Sequence, residues 1–271
     1  MNSPASPSKV VSLLGIPFDE NSSYLRGTAQ APPQIVEAFL CDSSNLWAEN
    51  GTDLEGKVRD VGSLQLPSGT AEAFAAIERG VAERLRRDAR LIVLGGDHSI
   101  SYPVIKAFAA KFPNLEIMHF DAHPDLYDEL DGNRFSHACP FARVMEEKLA
   151  RRMVQAGIRT MSGHQREQAR RFGVESLEMK DLAQWPKLKF SGPVYVSFDI
   201  DVFDPAFAPG VSHWEPGGMS VRQALDVLQS LQGRIIGADV VEYNPARDAS
   251  GRTAMVCAKV VKEIAARMLG E

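Results

Sequence analysis

Aspartate and histidine residues are concentrated in three short motifs, GGDHS at 95–99, DAHPD at 121–125 and DID at 199–201. Each motif follows or ends an apolar run with the length of a buried strand. In an open parallel sheet, ligands bind outside the carboxyl ends of the strands, so motifs that are far apart in sequence can converge there. The sequence therefore predicts one polar site that is built from all three motifs.

Four aspartates in one partly desolvated cleft would repel one another, and some would have to bind protons. Two divalent cations would balance the four charges, and two histidines would supply one neutral nitrogen to each ion. An oxygen-rich set without cysteine suits Mn²⁺ better than a structural Zn²⁺ site. A single DxD pair or buried histidine is more often a cap, a turn or a core polar group. The combination of motifs nevertheless favours a binuclear metal centre, with the candidate ligands His98, Asp121, His123, Asp125, Asp199 and Asp201.

The elements that must position these residues follow from the alternation of apolar runs and amphipathic segments, which is typical of βαβ units. The predicted strands are 10–16, 91–95, 115–121, 153–158, 194–201 and 235–241, and the predicted helices are 71–88, 102–111, 140–151, 220–231 and 253–269. Segments 40–56 and 202–218 are predicted loops. The pattern predicts an α/β fold, a three-layer α/β/α sandwich with a mostly parallel central sheet.

Length and composition limit the classes of protein that fit. The 271 residues contain no linker rich in Gly, Ser or Pro, so we expect a single domain at 10–271 after a disordered tail at 1–9. No apolar run approaches the ~18 residues of a membrane span. A net charge of -5 does not predict the basic surface that binds nucleic acid, so the expected partner is a small molecule. The three cysteines are far apart in the sequence, and the first residues have no basic start with an apolar core, so a cytoplasmic location is predicted.

The segments GGDHS, DAHPD and SFDIDVFDPAFAPG, in this order, resemble the ureohydrolase family, which includes arginases and agmatinases. The resemblance extends over nearly the whole chain, from LLGIPFDENSSYLRGTAQAPPQI at 13–35 to DVVEYNPARD at 239–248. DAHPDLYDELDGNRFSHA and APGVSHWEPGGMS are most similar to plant-type arginases. The organellar targeting extension of plant members is not seen at the start of this sequence, so a bacterial relative is expected. The resemblance also implies an arginase-like fold and a homotrimer or homohexamer.

The family pattern implies how the candidate ligands divide between two Mn²⁺ ions. One ion would be held by His98, Asp121, Asp125 and Asp199, and the other by Asp121, His123, Asp199 and Asp201. Asp121 and Asp199 would bridge the two. Asp97 matches an acid of the family that supports a ligand, and on physical grounds it could hold a ligand ring or cap the following helix.

A guanidinium carbon is a poor electrophile, so attack at neutral pH needs hydroxide, which two metal ions can generate from water. The catalytic candidates are His137, Asp201 and Glu242. Glu242 corresponds to the family's guanidinium-binding glutamate, and a surface salt bridge is the alternative role. His137 corresponds to a histidine that moves protons between solvent and site. Its alternative role is to cap the helix that begins near Pro140.

Substrate choice depends on loops beyond the metals, chiefly 126–137, 160–166 and 211–216. Tyr127 replaces an asparagine that contacts the substrate in animal arginases. Ser212-His213-Trp214-Glu215 replaces the TGTP stretch of animal arginases and many agmatinases. His213 and Trp214 are candidates for contact with the substrate tail, although Trp214 is as well suited to packing on a neighbouring subunit.

The predicted function is hydrolysis of L-arginine to ornithine and urea, with an agmatinase or another guanidino-acid ureohydrolase as the alternative. A phosphoesterase would be expected to surround its metals with Arg or Lys, and the three motifs contain neither. A deacetylase of a related fold would show a paired-histidine motif that this sequence lacks. A noncatalytic metal-binding protein would have no reason to place Glu242 and His137 near the motifs.

Overall fold

The computed structural model describes residues 10–87 and 90–270, so the predicted tail at 1–9 lies outside the described part of the chain. Within it, eight strands form one sheet in the order β2-β1-β3-β8-β7-β4-β5-β6, and every pair of neighbours is parallel. The strands are Val11–Gly15 (β1), Val58–Ser63 (β2), Arg90–Leu94 (β3), Glu116–Phe120 (β4), Arg152–Ile158 (β5), Glu175–Glu178 (β6), Lys189–Asp199 (β7) and Gln232–Val241 (β8).

In the described ranges, seven α-helices cover the two faces of this sheet. They are Ala31–Leu40 (α1), Thr70–Arg86 (α2), Ser101–Lys111 (α3), Pro140–Glu146 (α4), Gly163–Phe172 (α5), Val221–Ser230 (α6) and Arg252–Leu269 (α7). Apolar residues of α1, α6 and α7 pack with one face of the sheet, and those of α2, α3, α4 and α5 pack with the other. The predicted three-layer α/β/α sandwich is confirmed.

Four elements were missed by sequence reasoning, and three of them, β2, β6 and α5, are polar for their class. Strands β2 and β6 form the two edges of the sheet and bury little apolar surface, so neither has the apolar run of a central strand. Helix α5 is strongly polar, and helix α1 begins with Ala-Pro-Pro. Proline in the first turn is compatible with a helix because the N–H that it removes has no intrahelical partner.

No helix in the described ranges is both long enough and apolar enough to cross a membrane.

A close backbone contact fixes the turn after β3. The backbone N–H of Asp97 donates to the carbonyl oxygen of Phe18 at 2.9 Å, and a Cβ at Gly96 would lie 1.8 Å from that oxygen. Only glycine fits at this position without displacing the backbone of the facing loop. The contact therefore sets where the residues that follow Asp97 lie.

Candidate active site

The three acidic motifs meet at the carboxyl edge of the sheet. Strands β3, β8, β7 and β4 are adjacent in space, and the residues that follow them carry the motifs at 95–99, 121–125 and 199–201 together with Glu242. The predicted convergence is present, and the carboxylates of Asp121, Asp125, Asp199 and Asp201 are all buried.

His98 lies at the centre of one half of this cluster. Its Nδ1 atom is 3.0 Å from Oδ2 of Asp125, 3.1 Å from Oδ2 of Asp199 and 3.2 Å from Oδ2 of Asp121. Burial disfavours the charged ring, but the three carboxylates outweigh it and raise the pKa of His98 well above its ordinary value. One nitrogen thus faces three carboxylate oxygens, which is the surrounding that a cation requires.

The hydrogen bonds behind His98 determine which ring nitrogen is free. The Ser197 hydroxyl donates to Oδ1 of Asp239 at 2.7 Å, so it accepts from Nε2 of His98, which is 3.0 Å away. Tyr195 donates to the other oxygen of Asp239 at 2.8 Å. In the neutral ring Nε2 therefore carries the proton, which leaves the lone pair of Nδ1 for a cation. Nδ1 is buried and has no hydrogen-bond partner among the described residues, which fits a metal ligand.

The other half of the cluster is built around His123. Its Nδ1 atom lies 2.9 Å from Oδ2 of Asp201 and 3.4 Å from Oδ1 of Asp121. Burial and the neighbouring carboxylates of Asp201 and Asp121 raise the pKa of Asp199 well above its ordinary value. This is the repulsion that the sequence predicts for four aspartates, and bound cations would relieve it.

His119 also lies in the cluster, although the sequence assigned it no role. Its Nε2 atom is 2.8 Å from Oδ2 of Asp121, and Gln155 donates to its Nδ1 atom at 3.1 Å. Because Nδ1 accepts, Nε2 carries the proton and donates to Asp121. His119, Asp121 and His98 are close enough to share one ion, but this hydrogen bonding makes His119 a support for Asp121 rather than a ligand. The signal was available, because His119 and Asp121 lie two residues apart at the end of β4.

Glu242 follows β8 directly and is 5% exposed, so it is not the surface salt bridge that was the alternative. Its Oε1 atom accepts from the backbone N–H of His98 at 2.8 Å and lies 2.8 Å from Nδ1 of His137. Burial opposes both charges, but the pairing raises the pKa of His137 to about 9 and lowers the pKa of Glu242. Glu242 has a φ of 64° and Asp125 a φ of 50°, a conformation that costs non-glycine residues free energy.

His137 does not cap α4, because the N-cap position of that helix is Cys139 and no side chain caps it. The ring instead lies between Glu242 and the hydroxyl of Ser23, which is 2.8 Å from Nε2. Sequence reasoning missed Ser23, since a loop serine carries no signal of its partner. Asp97 accepts from the backbone N–H groups of Ser99 and Asn21, so it caps the turn after β3, which was one of its two expected roles.

A cavity of about 430 Å³ opens onto the carboxylates. Its walls include Tyr127, His137 and His213, as well as residues from 160–166, as predicted for the substrate loops. Trp214 is not among the described lining residues. It is half exposed, donates from Nε1 to the carbonyl of Pro209 and lies under the guanidinium of Arg247, so a direct contact with the substrate tail is not supported.

Arg159 is a further residue without a sequence signal. Its guanidinium donates to the carbonyl of Asp201 at 2.7 Å, to that of Val202 at 3.2 Å and to that of Glu215 at 2.7 Å. It thereby ties the turn that carries Asp201 to the loop that carries His213.

This chain is similar to several known proteins. The model of the arginase family matches residues 9–266. "Arginase 1, mitochondrial" from Arabidopsis thaliana is 47% identical over 95% of this chain and 80% of its own length. An agmatinase from Bacillus cereus is 34% identical over 95% of this chain and 91% of its own length. The solved arginase from Medicago truncatula superposes with a TM-score of 0.92 at 46% identity, covering 96% of this chain and 88% of that one.

These relatives confirm the resemblance to plant arginases and overturn one prediction. The cytoplasmic location expected from the cysteines and the first residues is wrong by this comparison, because the similar plant enzymes are named mitochondrial or, for "Arginase 2" of Arabidopsis thaliana, chloroplastic/mitochondrial. Because the family model matches residues 9–266, almost the whole of this chain, the chain belongs to the arginase family.

Proposed function

We propose that this enzyme hydrolyses the guanidino group of L-arginine to give ornithine and urea. The observation that carries the proposal is a buried glutamate, Glu242, on the wall of a cavity that also opens onto Asp125, Asp199 and Asp201. A buried carboxylate outside the ligand set fits a planar cation, because a guanidinium can donate two parallel hydrogen bonds to it.

The donor set fits two Mn²⁺ ions per chain. His98 and His123 each offer one ring nitrogen, and that of His98 is buried and free. The four aspartates offer carboxylate oxygens, which suit Mn²⁺. When bound, such a pair of ions supplies Lewis acidity and activates water at neutral pH. The ions would be held by His98, Asp121, Asp125 and Asp199 on one side and by Asp121, His123, Asp199 and Asp201 on the other.

Glu242 and His137 have separate tasks in this proposal. Glu242 binds the guanidinium and orients its carbon toward the carboxylate cluster. His137 transfers protons between the cavity and solvent, and its contact with Glu242 fixes the ring beside the proposed guanidinium site. Asp201 would hold the ion on the His123 side, and Arg159 fixes the backbone of Asp201.

The far wall of the cavity favours arginine over agmatine. Thr160, Ser162 and Gln165 line it with neutral polar groups, and Glu242 is the one lining carboxylate outside the candidate metal ligands in the described part of the chain. Neutral donors suit the α-carboxylate of arginine, which agmatine lacks, whereas both substrates carry an ammonium group. The greater similarity to plant arginases than to the agmatinase points the same way.

The decisive experiment measures urea release from arginine, agmatine, guanidinobutyrate and guanidine after Mn²⁺ loading. Arginine should be the best substrate. A clear preference for agmatine would replace this proposal by the agmatinase alternative, and release from none of the four would remove it. A homotrimer or homohexamer stays a prediction that light scattering during gel filtration can test.

A further inference from the structure

We propose that Ser23 supplies the hydroxyl through which His137 exchanges its proton with solvent. This inference rests on the proposed function, in which His137 moves protons. Its starting observation is the 2.8 Å distance between Oγ of Ser23 and Nε2 of His137 on the wall of the cavity.

Both nitrogens of the His137 ring are occupied. Nδ1 faces Oε1 of Glu242 at 2.8 Å, and Nε2 faces Ser23. The His137 side chain is about nine-tenths buried, whereas Ser23 is exposed. A proton that leaves His137 for bulk water on the side away from Glu242 must therefore pass Ser23 or wait until this hydrogen bond breaks.

A hydroxyl is suited to such a transfer because it can accept and donate at the same time. The N–H bond at Nε2 breaks as a new O–H bond forms at Oγ of Ser23, and the original Ser23 O–H bond breaks as its proton passes to a water molecule. The ring becomes neutral, the water gains the positive charge, and Ser23 is again a neutral hydroxyl. The reverse sequence reloads His137.

The loop that carries Ser23 is fixed to the loop that carries His137. The backbone carbonyl of Asn21 accepts from the backbone N–H of His137 at 3.1 Å, and the backbone N–H of Asn21 donates to the Asp97 carboxylate at 2.9 Å. The Asn21 side chain accepts from Thr70 at 3.1 Å and from Asn133 at 3.2 Å. This network therefore holds the backbone of the loop that carries Ser23 against the loop of His137.

Ser22 provides a matched control in the same loop. Its hydroxyl is buried and has no hydrogen-bond partner within the described ranges. Ser22→Ala should leave kcat unchanged. Ser23→Ala should lower kcat for arginine at least roughly tenfold, the lower end of the range for one hydrogen bond to a charged group, with KM and Mn²⁺ content within about twofold of wild type. Ser23→Thr keeps a hydroxyl and should retain most of the activity.

Rescue by added buffer separates proton transfer from positioning. Imidazole at increasing concentration should restore the kcat of Ser23→Ala, because a small base can enter the space left by the hydroxyl. A loss of kcat that imidazole does not restore, or a Ser23→Ala enzyme as fast as wild type, would overturn the proposal while leaving the arginase function intact. If the wild-type enzyme had no activity on any guanidino compound, both the proposed function and the role of Ser23 would be wrong.

Discussion

Nδ1 of His137 lies 2.8 Å from Oε1 of Glu242, and both side chains are buried. The residue proposed to bind the substrate cation and the residue proposed to move protons therefore form one pair before any substrate enters. Because the same oxygen also accepts from the backbone of His98, the orientation of Glu242 is set by the candidate metal centre itself.

Glu242→Gln should separate binding and chemistry from metal content. The change removes the negative charge that a guanidinium needs and leaves all six candidate ligands in place. We expect kcat/KM for arginine to fall roughly tenfold to more than a hundredfold, which corresponds to a loss of about 1.5–3 kcal/mol in transition-state stabilisation. The variant should retain two Mn²⁺ per chain. Glu37→Gln on the exposed surface of α1 is the control. Loss of the metals from Glu242→Gln would mark Glu242 as a structural residue.

Asp199 and His98 should differ in their effects on metal content. In the proposed arrangement Asp199 contributes to both ions, whereas His98 contributes to one. We therefore expect Asp199→Asn to weaken both ions and His98→Asn to weaken mainly one, as measured by metal analysis after dialysis against a range of free Mn²⁺. Asp226→Asn, on the exposed face of α6, should bind as wild type does. An Asp199→Asn protein with normal metal content would rule out the bridging assignment.

The pair of His137 and Glu242 should make stability depend on pH in a defined direction. Burial opposes the charge, but Glu242 raises the pKa of His137 from 6.5 to about 9. When folding raises the pKa of a group, its ionisation stabilises the folded protein fully at pH values below the pKa in the unfolded chain. That stabilisation is lost as the pH rises through the pKa in the folded protein. The free energy of unfolding lost in His137→Asn should thus be largest at about pH 6 and nearly vanish above about pH 10. Urea denaturation of metal-free protein at both pH values tests this, and an equal loss at both would contradict it.

Gly96→Ala should destabilise the fold. A Cβ at this position would lie 1.8 Å from the carbonyl oxygen of Phe18, and the shift needed to relieve it would break the hydrogen bond from Asp97. We expect a loss of roughly 3 kcal/mol in the free energy of unfolding. Gly163→Ala is the matched control, because nothing lies within 4 Å of a Cβ there and the residue begins a helix. If urea denaturation gave equal stabilities for the two variants, the close contact would not be as tight as described.

The order of layers and the convergence of the acidic motifs could be predicted because both depend on strong local patterns. Central strands such as β4 and β7 contain buried apolar runs, and the aspartates lie at the end of the strand or directly after it. The edge strands β2 and β6 could not be found in this way, since their position at the edge of the sheet is a tertiary property and leaves their side chains largely exposed or half-buried.

The supporting contacts of the site were beyond sequence reasoning for a related reason. Ser23, Gln155 and Arg159 each contact a residue that is distant in sequence, and none belongs to a motif with characteristic spacing. Ser197 and Asp239 occupy paired positions on β7 and β8, so their contact follows from the strand register. That register is known only once the strand order is known.

The left-handed backbone at Asp125 and Glu242 implies a trade-off between the activity and the stability of this protein. Such a conformation costs a residue other than glycine about 1 kcal/mol or more, and Asp125 also adds its charge to a crowded cluster. Directed evolution for thermal stability alone, in the absence of Mn²⁺, should therefore accumulate glycine or asparagine at position 125. The resulting variants should be more stable but inactive. A selection that also demands urea release would have to find its stabilising changes elsewhere in the chain.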